Sequence, residues 1–223
     1  MKRLTVMCLA LLPALYILSG SDAIAATTWT DWSAATIADP GGSATGTMGA
    51  VTISYSGEVT GNTVTNGTTG IWNPSTTFVG GGVDTSPDSV RDVIGLNGST
   101  GTDTITFSSP VTDPVIAIWS LGAPSATASF TFDATPTLQA GGPNSIYGGS
   151  SIVVNGNTVS GNEGNGVVLF SGVFSSISWT STNENWYGFT VGSAQTVPVP
   201  AALGLFGSGL LGLIAIGRHR PTT

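Results

Sequence analysis

The chain has 223 residues, of which only 8% are charged, and its formal net charge at pH 7 is −7. Between residues 26 and 197, eleven carboxylates face a single base, Arg91, and there is no lysine, histidine or cysteine. This composition excludes a Ser-His-Asp triad, a Cys-His pair and the usual zinc sites from that region. It also makes nucleic acid a poor partner, because nucleic-acid binding needs clustered Lys and Arg.

Residues 1–25 have the pattern of a secretory signal peptide. Two basic residues precede an apolar stretch from Leu4 to Leu18, and the small residues Ala23 and Ala25 fit the −3 and −1 positions of a cleavage site. We therefore expect export by the Sec machinery and cleavage by signal peptidase before Ala26. An uncleaved membrane anchor is the alternative interpretation.

Short segments with alternating apolar and polar residues follow along the chain. VTISYS at 51–56 alternates with period two, which predicts a half-buried strand. The same alternation recurs in TITF at 104–107, ASFTF at 128–132, SISW at 176–179 and YGFTV at 187–191. Clusters of Gly, Pro and Asn separate these segments, and no helical periodicity appears between them. Residues 26–196 are therefore predicted to form one all-β domain, a single β-sandwich of jelly-roll or lectin-like type.

Two segments give more specific predictions. Val115 to Leu121, VIAIWSL, is apolar on both faces and predicts a central strand of a packed sheet. Asn155-Gly156 between apolar flanks predicts a hairpin with a two-residue turn. Trp119 and Trp179 lie inside strand patterns, so we expect both in the core.

Carboxylate chemistry is the only catalysis that this composition leaves open. Asp133, Glu163 and Glu184 lie in loops or at strand ends, where a pair of them could act as in a glycoside hydrolase. The simpler interpretation is that they are solvated turn residues. We therefore expect a protein that is not an enzyme.

Three carboxylates fall within nine residues, at Asp84, Asp88 and Asp92. Hard oxygen ligands at this density could bind Ca²⁺, although their spacing is not that of an EF-hand loop. The alternative is an acidic loop in which Arg91 balances one carboxylate. We expect no cofactor, with calcium as the one candidate.

The segment NENWYGF combines aromatic, amide and carboxylate groups at a strand entry. Asn185, Trp186 and Tyr187 are what a sugar-binding surface requires, because ring faces stack on sugars and amides bind their hydroxyls. The other tryptophans in polar or turn-rich context are Trp29, Trp32 and Trp72. Exposure of three or more of these five aromatic residues on one concave face would favour a lectin-like module. Burial of all of them would favour a structural scaffold.

Residues 197–223 contain a second apolar segment of membrane length. The 21 residues from Val197 to Gly217 carry no charge, and a helix over 201–217 would span most of a hydrocarbon core of about 30 Å. Arg218 and Arg220 follow, and the positive-inside rule places them in the cytoplasm.

This tail resembles the sorting signal of the PEP-CTERM class of bacterial exported proteins, in its VPLPA variant. The motif is Val197, Pro198, Val199 and Pro200, with Val199 where the commonest form has the name-giving Glu. The resemblance covers about 24 residues. It implies transient anchoring in the inner membrane and processing by an exosortase near the proline motif. Members of the class are typically made alongside extracellular polysaccharide, so it also implies a cell-surface or extracellular-matrix location in a biofilm.

The patterns together predict an exported, exosortase-processed structural or adhesive protein of the extracellular matrix. A lectin-like carbohydrate-binding module, with polysaccharide as partner, is the first alternative. A carboxylate-dependent glycoside hydrolase is the second and more remote one.

Overall fold

The computed structural model describes residues 23–24, 26–65, 70–88, 92–98, 101–194 and 196–197. The transmembrane helix predicted over 201–217 lies outside these ranges, as does the predicted signal peptide apart from residues 23 and 24. In the described part of the chain, no helix is long and apolar enough to cross a membrane.

Strands and the turns between them make up the described chain, with one short 3-10 helix at Ser75–Thr77. The strands are β1 (Ala23–Ile24), β2 (Thr28–Trp29), β3 (Asp31–Thr36), β4 (Ala38–Met48), β5 (Val51–Val59), β6 (Ile94–Leu96), β7 (Thr102–Thr112), β8 (Pro114–Leu121), β9 (Ala128–Phe132), β10 (Thr137–Gly141), β11 (Ser150–Ser151), β12 (Val153–Asn155), β13 (Thr158–Gly161), β14 (Gly164–Leu169), β15 (Val173–Ser181), β16 (Tyr187–Ser193) and β17 (Thr196–Val197).

The strands form two large sheets. The seven-stranded sheet has the order β10-β14-β8-β16-β2, with β11 beside β14 and β6 beside β16. The eight-stranded sheet has the order β12-β13-β9-β15-β7-β5-β4-β3, and β1 pairs with β17 separately. Within the two large sheets every pair is antiparallel except β11 with β14. Apolar residues from both sheets make one core cluster, so the predicted all-β sandwich is confirmed at this level.

Aromatic rings join the two sheets in the core. Tyr55 on β5 stacks on Trp179 of β15, in the same sheet, at 6.0 Å, and both rings meet Phe189 on β16 of the other sheet, at 5.2 and 5.0 Å. Thr52, Ser54 and Ser56 on the opposite face of β5 are exposed. The alternation predicted from VTISYS is therefore confirmed.

Strand β8 is buried along its whole length, as the doubly apolar sequence predicts. Ile116 and Ile118 point into the sandwich core. Val115, Ala117 and Trp119 point to the other face, where they belong to a second apolar cluster. The loop segments between β5 and β6 cover that face with Ile71, Trp72, Phe78, Val83 and Val93. This third layer is the reason that β8 has no polar face.

The hairpin predicted at Asn155-Gly156 exists between β12 and β13, but its turn lies one residue later. Asn155 pairs with Thr158, so Gly156 and Asn157 form the turn. Gly156 has φ +59, a left-handed conformation that glycine adopts without strain. The prediction of the hairpin is confirmed, and the prediction of the turn residues is wrong by one position.

The chain enters and leaves the sandwich at the same end. Thr28 on β2 pairs with Ser193 on β16, and Ser193 also pairs with Pro114 at the start of β8. We call this end the terminal pole. The opposite end of β8, at Leu121, is the distal pole. At about 3.3 Å per residue, eight strand residues separate the two poles by roughly 23 Å.

Two buried carboxylates hold the chain together near the distal pole. Asp103 accepts hydrogen bonds from the Tyr55 hydroxyl at 2.5 Å, the Glu58 N–H at 3.0 Å and the Ser181 hydroxyl at 2.8 Å. Glu58 accepts the backbone N–H groups of Asn97 and Gly98 at 2.9 and 2.7 Å. These contacts tie β5, β7, β15 and the loop after β6 to one another.

Burial raises the pKa of Asp103, against the lowering effect of its hydrogen bonds. The folded state therefore binds the proton more tightly than the unfolded state does. The resulting stabilisation is complete below the unfolded pKa of about 3.9 and is lost as the pH rises through the raised folded pKa.

We predict that Asp103→Asn becomes more stable relative to the natural protein as the pH rises above about 4. The amide keeps an acceptor for Tyr55 and the Glu58 N–H and offers Ser181 a donor, but it does not ionise. Urea unfolding at a series of pH values measures this difference. Asp133→Asn, at an exposed position, is the control and should run parallel to the natural protein. Parallel curves for Asp103→Asn as well would contradict the prediction.

Candidate functional site

A groove lies on the outer face of the seven-stranded sheet, towards the distal pole. Its volume of about 450 Å³ is in the range of small-molecule sites, roughly 300 to 1,000 Å³. Its lining consists of Gly61, Asn62, Val64, Ile71, Val93, Ile146, Tyr147 and Trp186. We call it the distal groove.

Two large side chains of the groove are exposed to solvent. Tyr147 is 54% exposed and Ile146 is 50% exposed. The Tyr147 ring packs on the buried ring of Trp119, with centroids 5.5 Å apart. Trp119 in turn meets Trp186 edge-on at 4.7 Å. The three rings therefore form one aromatic unit, of which Tyr147 is the exposed member.

The loop that carries Tyr147 is fixed by a buried amide network. The Asn144 side-chain oxygen accepts the N–H groups of Ile146 and Tyr147 at 2.8 and 2.7 Å. The Asn144 amide donates to the side-chain oxygen of Asn165 at 3.0 Å. Asn165, fully buried on β14, donates to the carbonyl of Gly148 at 3.3 Å. The loop is thus held at both ends before any ligand binds.

Ser120 and Glu163 connect this network to the end of β8. The Ser120 N–H donates to Asn165 at 2.8 Å, and its hydroxyl donates to the Glu163 carboxylate. Ser120 and Glu163 have φ values of +57 and +53, which non-glycine residues adopt at a cost in free energy. The turn at Ser120 also breaks the strand alternation, so Leu121 points into the core beside Ile118.

Two of the three predicted catalytic candidates lie at this pole. Glu184 accepts the Trp186 N–H at 3.2 Å. Burial raises the pKa of Glu184, and the negative charge of Glu163 adds to that increase. Asp133 lies at the end of β9, where its N–H donates to Ser178 at 2.9 Å, and does not join them. Glu163 and Glu184 are thus near one another, but each has a hydrogen-bonding role in the fold.

The predicted glycan residues at 185–187 divide between three environments. Trp186 lines the distal groove, while Asn185 is exposed and outside its lining. Tyr187 is fully buried in the sandwich core, so its proposed role in stacking on a sugar is wrong. The physical reason is the period of two, since neighbouring strand residues point to opposite faces.

The remaining tryptophans also bear on the lectin hypothesis. Trp32 and Trp72 are fully buried, and Trp32 donates its indole N–H to Thr190 at 3.1 Å. Trp29 is half-buried at the terminal pole and donates to the Thr85 carbonyl at 2.8 Å. The condition set for a lectin surface, three of the five predicted rings on one concave face, is not met.

The three predicted calcium ligands border two adjoining surface pockets. Asp84 accepts the Thr27 N–H at 2.7 Å, a bond that lowers its pKa, and Asp92 accepts the Trp32 N–H at 3.1 Å. Asp88 is exposed and contributes to the lining of both pockets. Within the described ranges, no group of three or more His, Cys, Asp or Glu side chains is placed to hold a metal ion. Calcium binding therefore stays a prediction.

Of the groove residues, the sequence analysis identifies Trp186 but not Ile146 or Tyr147. Ile146 and Tyr147 are two large apolar residues in the segment GGPNSIYGGS, between turn-forming residues. Such a pair has no neighbouring strand residue to bury it, and this feature of the sequence indicates an exposed apolar site. Asn165 could not be found from the sequence, because Ser120 and Asn144, its partners, are 45 and 21 residues away.

The amide network predicts a large stability cost at Asn165. Asn165→Ala leaves the buried Ser120 N–H and the Asn144 amide without their acceptor, so we expect a loss of at least about 2 kcal/mol in the free energy of unfolding. Denaturant unfolding measures it. Asn185→Ala is the matched control and should change stability by less than about 0.5 kcal/mol. Equal values for the two variants would contradict the structural role of the network.

The predicted processing sites lie at the limits of the described chain. Ala23 belongs to β1 and Val197 to β17, Ala26 is exposed, and Ala25, Pro198, Val199, Pro200, Arg218 and Arg220 lie outside the described residues. Comparison of the chain with models of protein families, with curated proteins and with solved structures finds no match.

Proposed function

We propose that the chain is an exported, exosortase-processed protein of the cell surface or extracellular matrix, with a structural or adhesive ectodomain and no catalytic activity. In this proposal the segment 1–25 is removed on export. The tail, residues 197–223, anchors the precursor in the inner membrane until an exosortase acts at the proline motif. Extracellular polysaccharide is the partner that the tail implies.

The observation that carries the proposal is that the first and last strands of the sandwich, at Thr28 and Ser193, lie at one pole. Thr28 and Ser193 are paired neighbours, and the Ala194 N–H donates to Asp113 at the same pole. A domain that begins and ends at one pole can be attached there while its other pole remains free. The distal groove and the loops around it then lie on the free side.

The carboxylates support a non-catalytic role. Seven of them accept hydrogen bonds that fix the fold: Glu58, Asp84, Asp92, Asp103, Asp113, Glu163 and Glu184. A residue that must hold a backbone N–H in place is poorly suited to exchange protons with a substrate. The described domain also contains no histidine, lysine or cysteine that could act as a catalytic acid, base or nucleophile instead.

The distal groove favours a second candidate function, a lectin-like carbohydrate-binding module. The two sheets would fit a jelly-roll or lectin-like sandwich, in which loops at one pole present the ligand site. This candidate is compatible with the first, since a matrix protein can be adhesive through a bound glycan.

Processing of the tail is the first test of the proposal. We predict that protein extracted from the surface of its native cells has lost Arg218 and Arg220, as shown by intact-mass measurement. The double variant Pro198→Ala, Pro200→Ala should keep the full tail and remain in the inner membrane. Pro124→Ala, at an exposed turn, should be processed normally. Surface-extracted protein with an intact tail would refute processing.

Attachment through the terminal pole is the second test. Residues 26–197 contain no cysteine, so a single introduced cysteine reports how accessible each pole is. We predict that Ser125→Cys, at the distal pole, reacts faster with a bulky membrane-impermeant maleimide on intact cells than Val173→Cys, at the terminal pole. Both positions are exposed, so their rates should be equal in detergent solution. Equal rates on cells would exclude this orientation.

A further inference from the structure

The distal groove is uncharged in an acidic domain. Among the described residues, its lining contains glycine, asparagine, aliphatic and aromatic side chains, without a carboxylate or a base. An anionic ligand finds no cation there to bind. A cationic ligand is attracted to the carboxylates elsewhere on the surface instead. The lining therefore selects a neutral ligand.

Tyr147 gives the groove a fixed and exposed ring face. One side of the ring packs on Trp119, and more than half of the side chain is exposed. The loop beneath it is already held by Asn144. A ligand that stacks on this ring loses little free energy to ordering the site, because the ring is in place beforehand. The C–H face of a pyranose is the kind of apolar surface that stacks on such a ring.

Polar groups without protein partners accompany the ring. The exposed Asn62 amide and the Tyr147 hydroxyl make no hydrogen bond to other described residues. Beside the groove, Trp186 Nε1 and Thr60 Oγ1 are buried and have no partner within the described chain. Both atoms adjoin Gly95, at 3.0 and 2.8 Å from the position that a Cβ on this residue would take. Trp119 and Trp179 also have a buried Nε1 without a partner in the described chain, so the exposed Asn62 amide and Tyr147 hydroxyl are the groups that a ligand can reach.

We propose that the distal groove binds a neutral oligosaccharide, which stacks on the exposed Tyr147 ring and places hydroxyl groups against the Asn62 amide. An apolar peptide would cover the ring but leave these polar atoms unpaired. The inference rests on the second candidate function, the carbohydrate-binding module, and does not depend on the sorting tail.

The test is a glycan array that carries neutral and anionic oligosaccharides, probed with the full chain. The protein is kept in a detergent without a sugar headgroup, because glucoside and maltoside headgroups would compete for the groove. We expect binding to neutral glycans and none to anionic ones. The neutral glycan that binds best is then titrated up to about 10 mM. This range covers a dissociation constant as weak as about 1 mM, which is a binding free energy of only about 4 kcal/mol.

Variants of Tyr147 locate the binding. Tyr147→Ala should weaken it by about tenfold or more, and Tyr147→Phe, which keeps the ring, by about threefold. Val173→Ala, an equally exposed apolar position at the terminal pole, should bind like the natural protein. Thermal melting confirms that the three variants are folded.

Any of three results would overturn the inference. These are that no neutral glycan is bound, that only anionic glycans are bound, or that Tyr147→Ala and Val173→Ala bind with equal affinity. Binding of an apolar peptide in the groove, by a chain that binds no glycan, would also overturn the inference. None of these results bears on the mass of the processed tail, so failure of this site and failure of the proposed function are distinguishable.

Discussion

The structure depends on how a domain with almost no bases accommodates its carboxylates. A buried carboxylate is stable only when hydrogen-bond donors surround it. In a domain with a single arginine, backbone N–H groups and hydroxyls take that role. Asp103 and Glu58 show this most clearly, because each joins segments that are far apart in sequence. The carboxylates therefore act as structural crosslinks between segments that are far apart in the sequence.

Burial of β8 on both faces is the second constraint. A strand with apolar residues on both faces needs a cover on each, and the eight-stranded sheet supplies only one of them. The segments between β5 and β6 supply the other, although they contain no long regular element. This irregular layer has a consequence for function. Where it meets the Ile146-Tyr147 loop it leaves a gap over Trp186, and that gap is the distal groove.

Much of the sandwich could be predicted from the sequence, because period-two alternation directly reports a strand with one buried face. The same rule, applied to Trp186 and Tyr187, would have separated the two rings. Strands β3 and β4 were not predicted. Their residues are mostly Ala, Gly, Ser and Thr, which have little side chain to reveal a buried face, and Trp32 was the one large apolar exception in β3. The amide network could not be predicted either, since Asn165 has partners 21 and 45 residues away.

The two constraints divide the surface into regions that respond differently to solution conditions. Exposed carboxylates repel a second copy of the domain, and salt screens that repulsion over about 10 Å at 0.1 M. The distal groove carries no charge, and Asn144 and Asn165, which fix its loop, do not titrate. A ligand bound there is therefore held by contacts that salt affects little. Association between domains and binding of a ligand in the groove would thus respond differently to ionic strength, because salt screens the first and affects the second little.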